Sequence, residues 1–276
     1  AGAFVPGQMS ERTLRYFRSR GRIDGSDAAE VRWCHGVNSR SRLAEALSGS
    51  AHMLEADVLM REAEPREPVM AHPPDTDSDI TLREWLEEVK DHQKGIKLDF
   101  KSLEAVAPSL ALLEKVLAQT DLPLWLNADV LPGPGGQAEP LDPQAFLSAV
   151  RGMPPHMVLS LGWTTGWTAG TSNPGYSWDM VHRMEDLCRP LQHAVSFPVR
   201  AALLAQSFAQ LDWLLQQSER YTLTVWTGQR DQLSPQDLLA YQQVLDRSRI
   251  YYDLPPSLRT PLGDGGQDSQ GAKVSV

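Results

Sequence analysis

The sequence predicts an α/β protein: a TIM-type (β/α)8 barrel, slightly irregular, with one strand beyond the eight and a polar C-terminal tail. Three observations carry this. Short apolar runs alternate with helical patterns along most of the chain, the signature of β/α units. Several of those runs are apolar almost throughout, as strands buried on both faces of a parallel sheet must be. The chain has 276 residues, a length that suits one barrel domain and favours it over an open doubly wound sheet.

From the N-terminus, residues 11–22 carry five arginines and read as the solvated face of a helix, with a phosphate-contacting patch as the sharper alternative. Strand-like runs follow at 31–35, 53–60, 69–72, 96–100, 124–127, 157–161, 194–199, 221–226 and 250–252. The stretch between Asp57 and Val69 is too short for a crossover helix, so a hairpin or irregular connection is expected there. Thr81 to Glu84 form a capping box, and Leu82, Trp85, Leu86 and Val89 then share one helix face. Asp142-Pro143 and Ser234-Pro235 are N-cap and first-turn pairs. The Gly/Pro run 131–136 lacks a following Lys-Ser/Thr and is a turn rather than a phosphate loop. Residues 161–178 contain no charged side chain and read as a long loop or lid. The expected domain is 1–255, with an N-terminal arm over 1–27. Residues 256–276 are expected to be a polar, flexible tail.

Composition narrows the function. A net charge of −9 argues against binding along long nucleic acid, which needs a basic surface; a small phosphodiester substrate or an RNA end stays open. The two cysteines, Cys34 and Cys188, define neither a disulfide framework nor a cysteine metal site. That points to a reducing, cytoplasmic compartment, as does an N-terminus too broken for a secretory signal. Cys34 should face the helix layer, opposite its neighbour His35. No apolar run approaches the length of a membrane span, so no transmembrane segment is expected.

The chemistry concentrates in the first half of the chain. Glu55 and Asp57 stand two apart in one strand, so both carboxylates point to the same face. Like charges held that close call for a hard cation between them. His52-x-x-Glu55 is no zinc motif, since such motifs sit on helices. In a barrel, functional side chains gather at the strand C-termini. His35 ends the first strand, His72 the third, and Asp99 and Lys101 the fourth. Glu55, Asp57 and Asp99 make an oxygen-only ligand set, which suits Mg2+, with Ca2+ or Mn2+ as alternatives. His35 and His72 would flank it as general acid and base, and Lys101 would hold phosphate charge. Lys97, on the same strand face, either contacts phosphate or pairs with a carboxylate. Asn127 and Asp129 should reach the pocket rim. Arg200 either binds phosphate or pairs with a rim carboxylate. Trp125, Trp163 and Trp226 are either core or a stacking wall for a ligand.

This order of residues resembles the phospholipase-C-like phosphodiesterase superfamily, in particular the glycerophosphodiester phosphodiesterases and the spider-type sphingomyelinase D enzymes. His35-Gly-Val-Asn38 resembles the opening histidine motif, Glu55-x-Asp57 the metal motif, His72 the second catalytic histidine and Asp99-x-Lys101 the metal and phosphate motif. Over its whole length the chain resembles the menorin family, through WCHGVNS, LEADV, GIKLDFK, LWLNAD, FPVRAAL and LTVWTG. The resemblance implies a metal-dependent phosphodiesterase in which a substrate hydroxyl attacks its own phosphodiester to give a cyclic phosphate. Asn38, Lys97, Asn127, Arg200 and Trp226 are the candidate substrate-binding residues. Glycerophosphodiesters, lysophospholipids and RNA ends all carry the required hydroxyl. Two departures count against glycerophosphodiester specificity: His-Gly replaces His-Arg-Gly at residue 35, and Pro73 follows His72 where an acid is usual. The rivals are a nuclease or cyclic phosphodiesterase acting on RNA ends, and a non-catalytic barrel that binds a phosphorylated ligand or a protein.

Overall fold

A computed structural model describes residues 8–259. Eight parallel strands form one sheet in the order β1 (Trp33–Cys34), β2 (Met53–Met60), β4 (Gly95–Phe100), β5 (Leu124–Pro132), β6 (Val158–Thr164), β7 (Ala194–Arg200), β8 (Tyr221–Trp226) and β9 (Ile250–Asp253). Helices return the chain between them: α2 (Arg40–Ser48), α3 (Leu82–Val89), α4 (Val106–Val116), α5 (Pro143–Val150), α6 (Trp178–Cys188), α7 (Phe208–Gln216) and α8 (Leu239–Val244). The result is a nearly closed (β/α)8 barrel. No described helix is long and apolar enough to cross a membrane.

The strand beyond the eight is β3 (Pro68–Met70), which runs antiparallel along the far end of β2, with Val58 opposite Met70 and Met60 opposite Pro68. It is a hairpin partner, not a barrel stave. The run at 69–72 is therefore no barrel strand, and His72 lies in the connection beyond it. A crossover needs a dozen or more residues; the short link after β2 can only fold back.

The elements form where the side chains demand them. In α3, Thr81 accepts from the Glu84 N–H at 3.2 Å while Glu84 accepts from the Thr81 N–H at 3.1 Å. Leu82, Trp85, Leu86 and Val89 are all buried, and the Trp85 indole donates to the Val37 carbonyl at 3.0 Å, tying α3 to the loop after β1. Asp142 caps α5 through the Ala145 N–H. The uncharged stretch after β6 is anchored by Tyr176, which is fully buried and accepts from the Arg200 N–H at 2.9 Å.

At the N-terminal end of the barrel, Trp33, Trp125 and Tyr251 meet edge to face, with centroids 4.9 to 6.3 Å apart. Helix α1 (Gln8–Ser19) closes this end: Trp125 donates to the Thr13 hydroxyl, and Phe17 packs on His52. The arginines of 11–22 thus lie at the end opposite the strand C-termini, with Arg20 on Asp121 and Arg22 on the Gln93 carbonyl.

No strand ladder joins β1 to β9. Arg259, at the end of α9 (Pro256–Arg259), is buried there instead. It donates to the carbonyls of Val31 and Tyr252 at 3.0 Å each, and to that of Ala29. Residues 256–259 are therefore packed on the barrel; the remainder of the expected tail, 260–276, lies outside the described residues, as do residues 1–7 of the expected arm.

Two consequences can be measured. Arg259→Met leaves three carbonyls at the seam without their donor, and should lower stability by about 2–4 kcal/mol in urea denaturation; an unchanged midpoint would show that the seam does not need it. His52 is buried, accepts from the Arg32 N–H at its Nδ1 and donates from Nε2 to the Arg22 carbonyl. Burial pushes its pKa from 6.5 down to about 4. The unfolded chain therefore binds this proton first. The stabilisation is complete above about pH 6.5 and is lost as pH falls towards 4, up to about 3 kcal/mol. His52→Gln should flatten the pH dependence of stability in that window, and an identical slope in the variant would refute the assignment.

Candidate active site

The alternation of each strand sends one set of side chains into the barrel. From β2 these are Glu55 and Asp57, and from β4 Lys97 and Asp99, with Lys101 just past its end. Glu55 is in register with Lys97, and Asp57 with Asp99. Ligand oxygens of Glu55, Asp57 and Asp99 all lie within 4.8 Å of one another, a spread that one hard cation can bridge. They share a cavity of about 180 Å³ with His35, His72 and Lys101. All six residues read from the sequence as chemical thus converge.

Each carboxylate is held. Gly36 has φ +66, a conformation open to glycine at little cost, and the turn it makes aims its N–H at Glu55 Oε2, 2.8 Å away. The Asn38 amide donates to Asp57 Oδ2 at 2.9 Å, and its oxygen accepts from the Asp57 N–H at 2.9 Å. The Asn127 amide donates to Asp99 Oδ1 at 2.8 Å and is itself fixed by the Ser160 hydroxyl at 2.6 Å. Asn38 and Asn127, expected to bind substrate, have these amides engaged in orienting the carboxylates.

The electrostatics follow from burial and crowding. Burial, reinforced by Glu55 and Asp99, raises the Asp57 carboxyl to about 7. Burial likewise raises Glu55. Burial works in the same direction on Asp99, but Lys101, 2.9 Å away, outweighs it and holds that carboxyl below its ordinary value. Asp129, with no hydrogen bond to its carboxylate among the described residues, is raised to about 7 by burial and then by Asp99. Its wall is cut to shape: a Cβ on Gly162 would come 2.8 Å from Asp129 Oδ1.

The histidines are fixed through the same ring atom. His35 Nδ1 stands 2.8 Å from Asp253 Oδ2 and 3.2 Å from Glu55 Oε2. Glu55 is the chief reason its pKa rises to about 10. His72 Nδ1 is 2.6 Å from the Pro73 carbonyl, which can only accept, so Nδ1 carries the proton. In both rings Nε2 is the nitrogen left for chemistry.

On the far wall, Trp226 lines the cavity with Pro198. Arg200 stands behind it, 5.1 Å from its ring, and forms a fork with Asp231 at 2.7 and 2.8 Å. The pairing alternative for Arg200 is the one found. Trp125 and Trp163 are core. Sequence reading missed Asp253 and Asp231 as functional partners. Asp253 lies one residue beyond the last expected strand, and its position at a strand C-terminus was the available signal.

The menorin N-terminal domain family matches residues 27–259. The human protein FAM151B is 49% identical over 256 residues, covering 92% of this chain and 93% of that protein. Among solved structures, S. officinalis PLC21 aligns with a TM-score of 0.36 and 9% identity, over 70% of this chain and 28% of that one. The chain therefore spans little more than a quarter of the length of that protein, and a likeness at this level bears on neither activity nor substrate.

Crowded carboxylates give a direct test. Asp57→Asn relieves repulsion in the metal-free protein, so its melting temperature in EDTA at pH 8 should rise by a few degrees. Mg2+ should raise the melting temperature of the wild type and leave that of the variant unchanged. A lower melting temperature in EDTA with the Mg2+ shift intact would sink this account of the cluster.

Proposed function

The chain belongs to the menorin family, and from that premise we propose that it is a divalent-metal-dependent phosphodiesterase of the phospholipase-C-like type. The observation that supports this best is the convergence of three carboxylates, two imidazoles and Lys101 on one cavity at the strand C-termini. Glu55, Asp57 and Asp99 would hold the cation, with Mg2+ the best match to an all-oxygen set. The cation would supply Lewis-acid stabilisation of phosphoryl charge.

The chain's own groups do the rest. Lys101 offsets charge on the phosphoryl oxygens. One imidazole Nε2 takes the proton from a substrate hydroxyl as that oxygen bonds to phosphorus. The other gives a proton to the leaving oxygen as its bond to phosphorus breaks. The products are a cyclic phosphate and an alcohol, and water can open the ring afterwards. Asp253 orients His35 and stabilises its protonated form. The substrate class is a phosphodiester with a neighbouring hydroxyl: a glycerophosphodiester, a lysophospholipid or a similar molecule.

The test is turnover of glycerophosphocholine, lysophospholipids, sphingomyelin and oligoribonucleotides with Mg2+, Ca2+ or EDTA. Turnover should require metal and fall at least ~100-fold in His35→Ala and in His72→Ala. Cleavage confined to oligoribonucleotides would move the assignment to RNA ends. A protein that binds metal and cleaves none of them would be a binding barrel. Full activity in His35→Ala would overturn the mechanism.

A further inference from the structure

Lys97 is buried, and the mechanism proposed above gives it no role. Its residue is 5% exposed. It rises from β4 two residues before Asp99, between the rings of Trp33 and Trp125, whose centroids lie 5.4 and 5.8 Å from its Nζ. It lines the same cavity from the floor. Among the described residues its ammonium makes no hydrogen bond and no ion pair.

The other buried lysine among the described residues shows the ordinary arrangement. Lys94 donates to the carbonyls of Gly49 and Ala51 at 2.8 and 2.5 Å. Lys101, at the cavity wall, sits 2.9 Å from Asp99. A buried ammonium without an acceptor is costly. If Lys97 served only to balance the carboxylates, the least costly place for it would be on one of them, where Lys101 is. It stops instead short of them, acting on Asp99 and Asp129 only through space, and faces the open cavity.

We propose that Lys97 is a second phosphate-binding cation, which takes a phosphoryl oxygen pointing down the barrel axis while Lys101 meets another nearer the mouth. This rests on the phosphodiesterase reading and deepens it. The ligand must present its phosphoryl group to the floor, with both ester substituents leaving toward the mouth. Substrates that bury an apolar tail at the floor are thereby disfavoured.

The experiment titrates inorganic phosphate calorimetrically into the Mn2+-saturated full chain, comparing wild type, Lys97→Met and Lys101→Met. Binding of Mn2+ to each is measured separately. Methionine keeps the stem between the two indoles and drops the charge; Lys97→Gln serves if Lys97→Met does not fold. The expected result is retained Mn2+ binding with phosphate bound at least ~10-fold more weakly in the Lys97 variant. Unchanged phosphate affinity overturns the proposal, as does a wild type that binds Mn2+ but no phosphate. Loss of Mn2+ binding along with phosphate would assign Lys97 to the metal site instead. A wild type that binds neither would remove the phosphodiesterase reading itself.

Discussion

Three carboxylates within a few ångströms, inside a barrel, are the constraint from which the rest of the site follows. Left to themselves they would protonate or separate. The chain prevents separation by giving each a fixed donor: Gly36 on Glu55, Asn38 on Asp57, Asn127 on Asp99. Those donors come from the loop after β1 and from β5, so the cluster is braced from both neighbouring strands. The chain limits protonation by placing cations beside the acids, Lys101 on Asp99 and His35 on Glu55. A site so arranged stores unfavourable energy that a divalent cation would release. Such storage is usual at functional positions and unusual elsewhere.

The closure of the barrel and the placement of His35 are one structural event. The β1–β9 seam has no ladder, and side chains link across it. Toward the N-terminal end, Arg259 gathers carbonyls from both sides. At the C-terminal end, Asp253 of β9 meets His35 after β1 at 2.8 Å. A shift of β9 along the seam would move the carboxylate that holds the imidazole. The weakest joint of the sheet therefore carries one of the two rings that would exchange protons, and its register is set by side chains instead of backbone pairing.

Much of this was legible in the sequence, for identifiable reasons. The barrel strands read clearly because burial on both faces leaves apolar runs. Glu55, Asp57, Asp99 and Lys101 read clearly because acids and a lysine interrupt such runs at two-residue spacing. The role of the 69–72 run did not: three apolar residues look alike in a stave and in a hairpin, and only the pairing partner separates them. The partners of Arg200 and His35 were hidden because Asp231 and Asp253 are distant in sequence and their approach depends on how the sheet curls round. The tail boundary was misplaced by the few residues that include Arg259, since one buried arginine leaves no pattern in a polar segment.

The barrel interior divides its labour by strand. β2, β4, β5, β9 and the residues just after β1 and β4 contribute the carboxylates, both lysines and His35 of the cavity, and the connection after β3 contributes His72. β6, β7 and β8 contribute Ser160, Gly162, Ser196, Pro198, Thr222, Thr224 and Trp226 to the inner face, with Ser196 and Thr224 bonded to each other at 2.6 Å. The charge of Arg200 on that side is spent on Asp231, outside the cavity lining. On the proposed reading, with a cation held by the carboxylates, a phosphoryl group would sit in the charged half of the barrel and its uncharged portion against the other. Trp226 offers that portion an indole face, held in place by the guanidinium behind it, and the Arg200 links to Thr165 and Tyr176 lock this wall to the loop after β6. Recognition of the organic moiety would then belong to a wall with no part in the proposed proton transfer. On that reading the two functions could change independently, with substrate preference altered in β6 to β8 while the acids, imidazoles and lysines stay where they are.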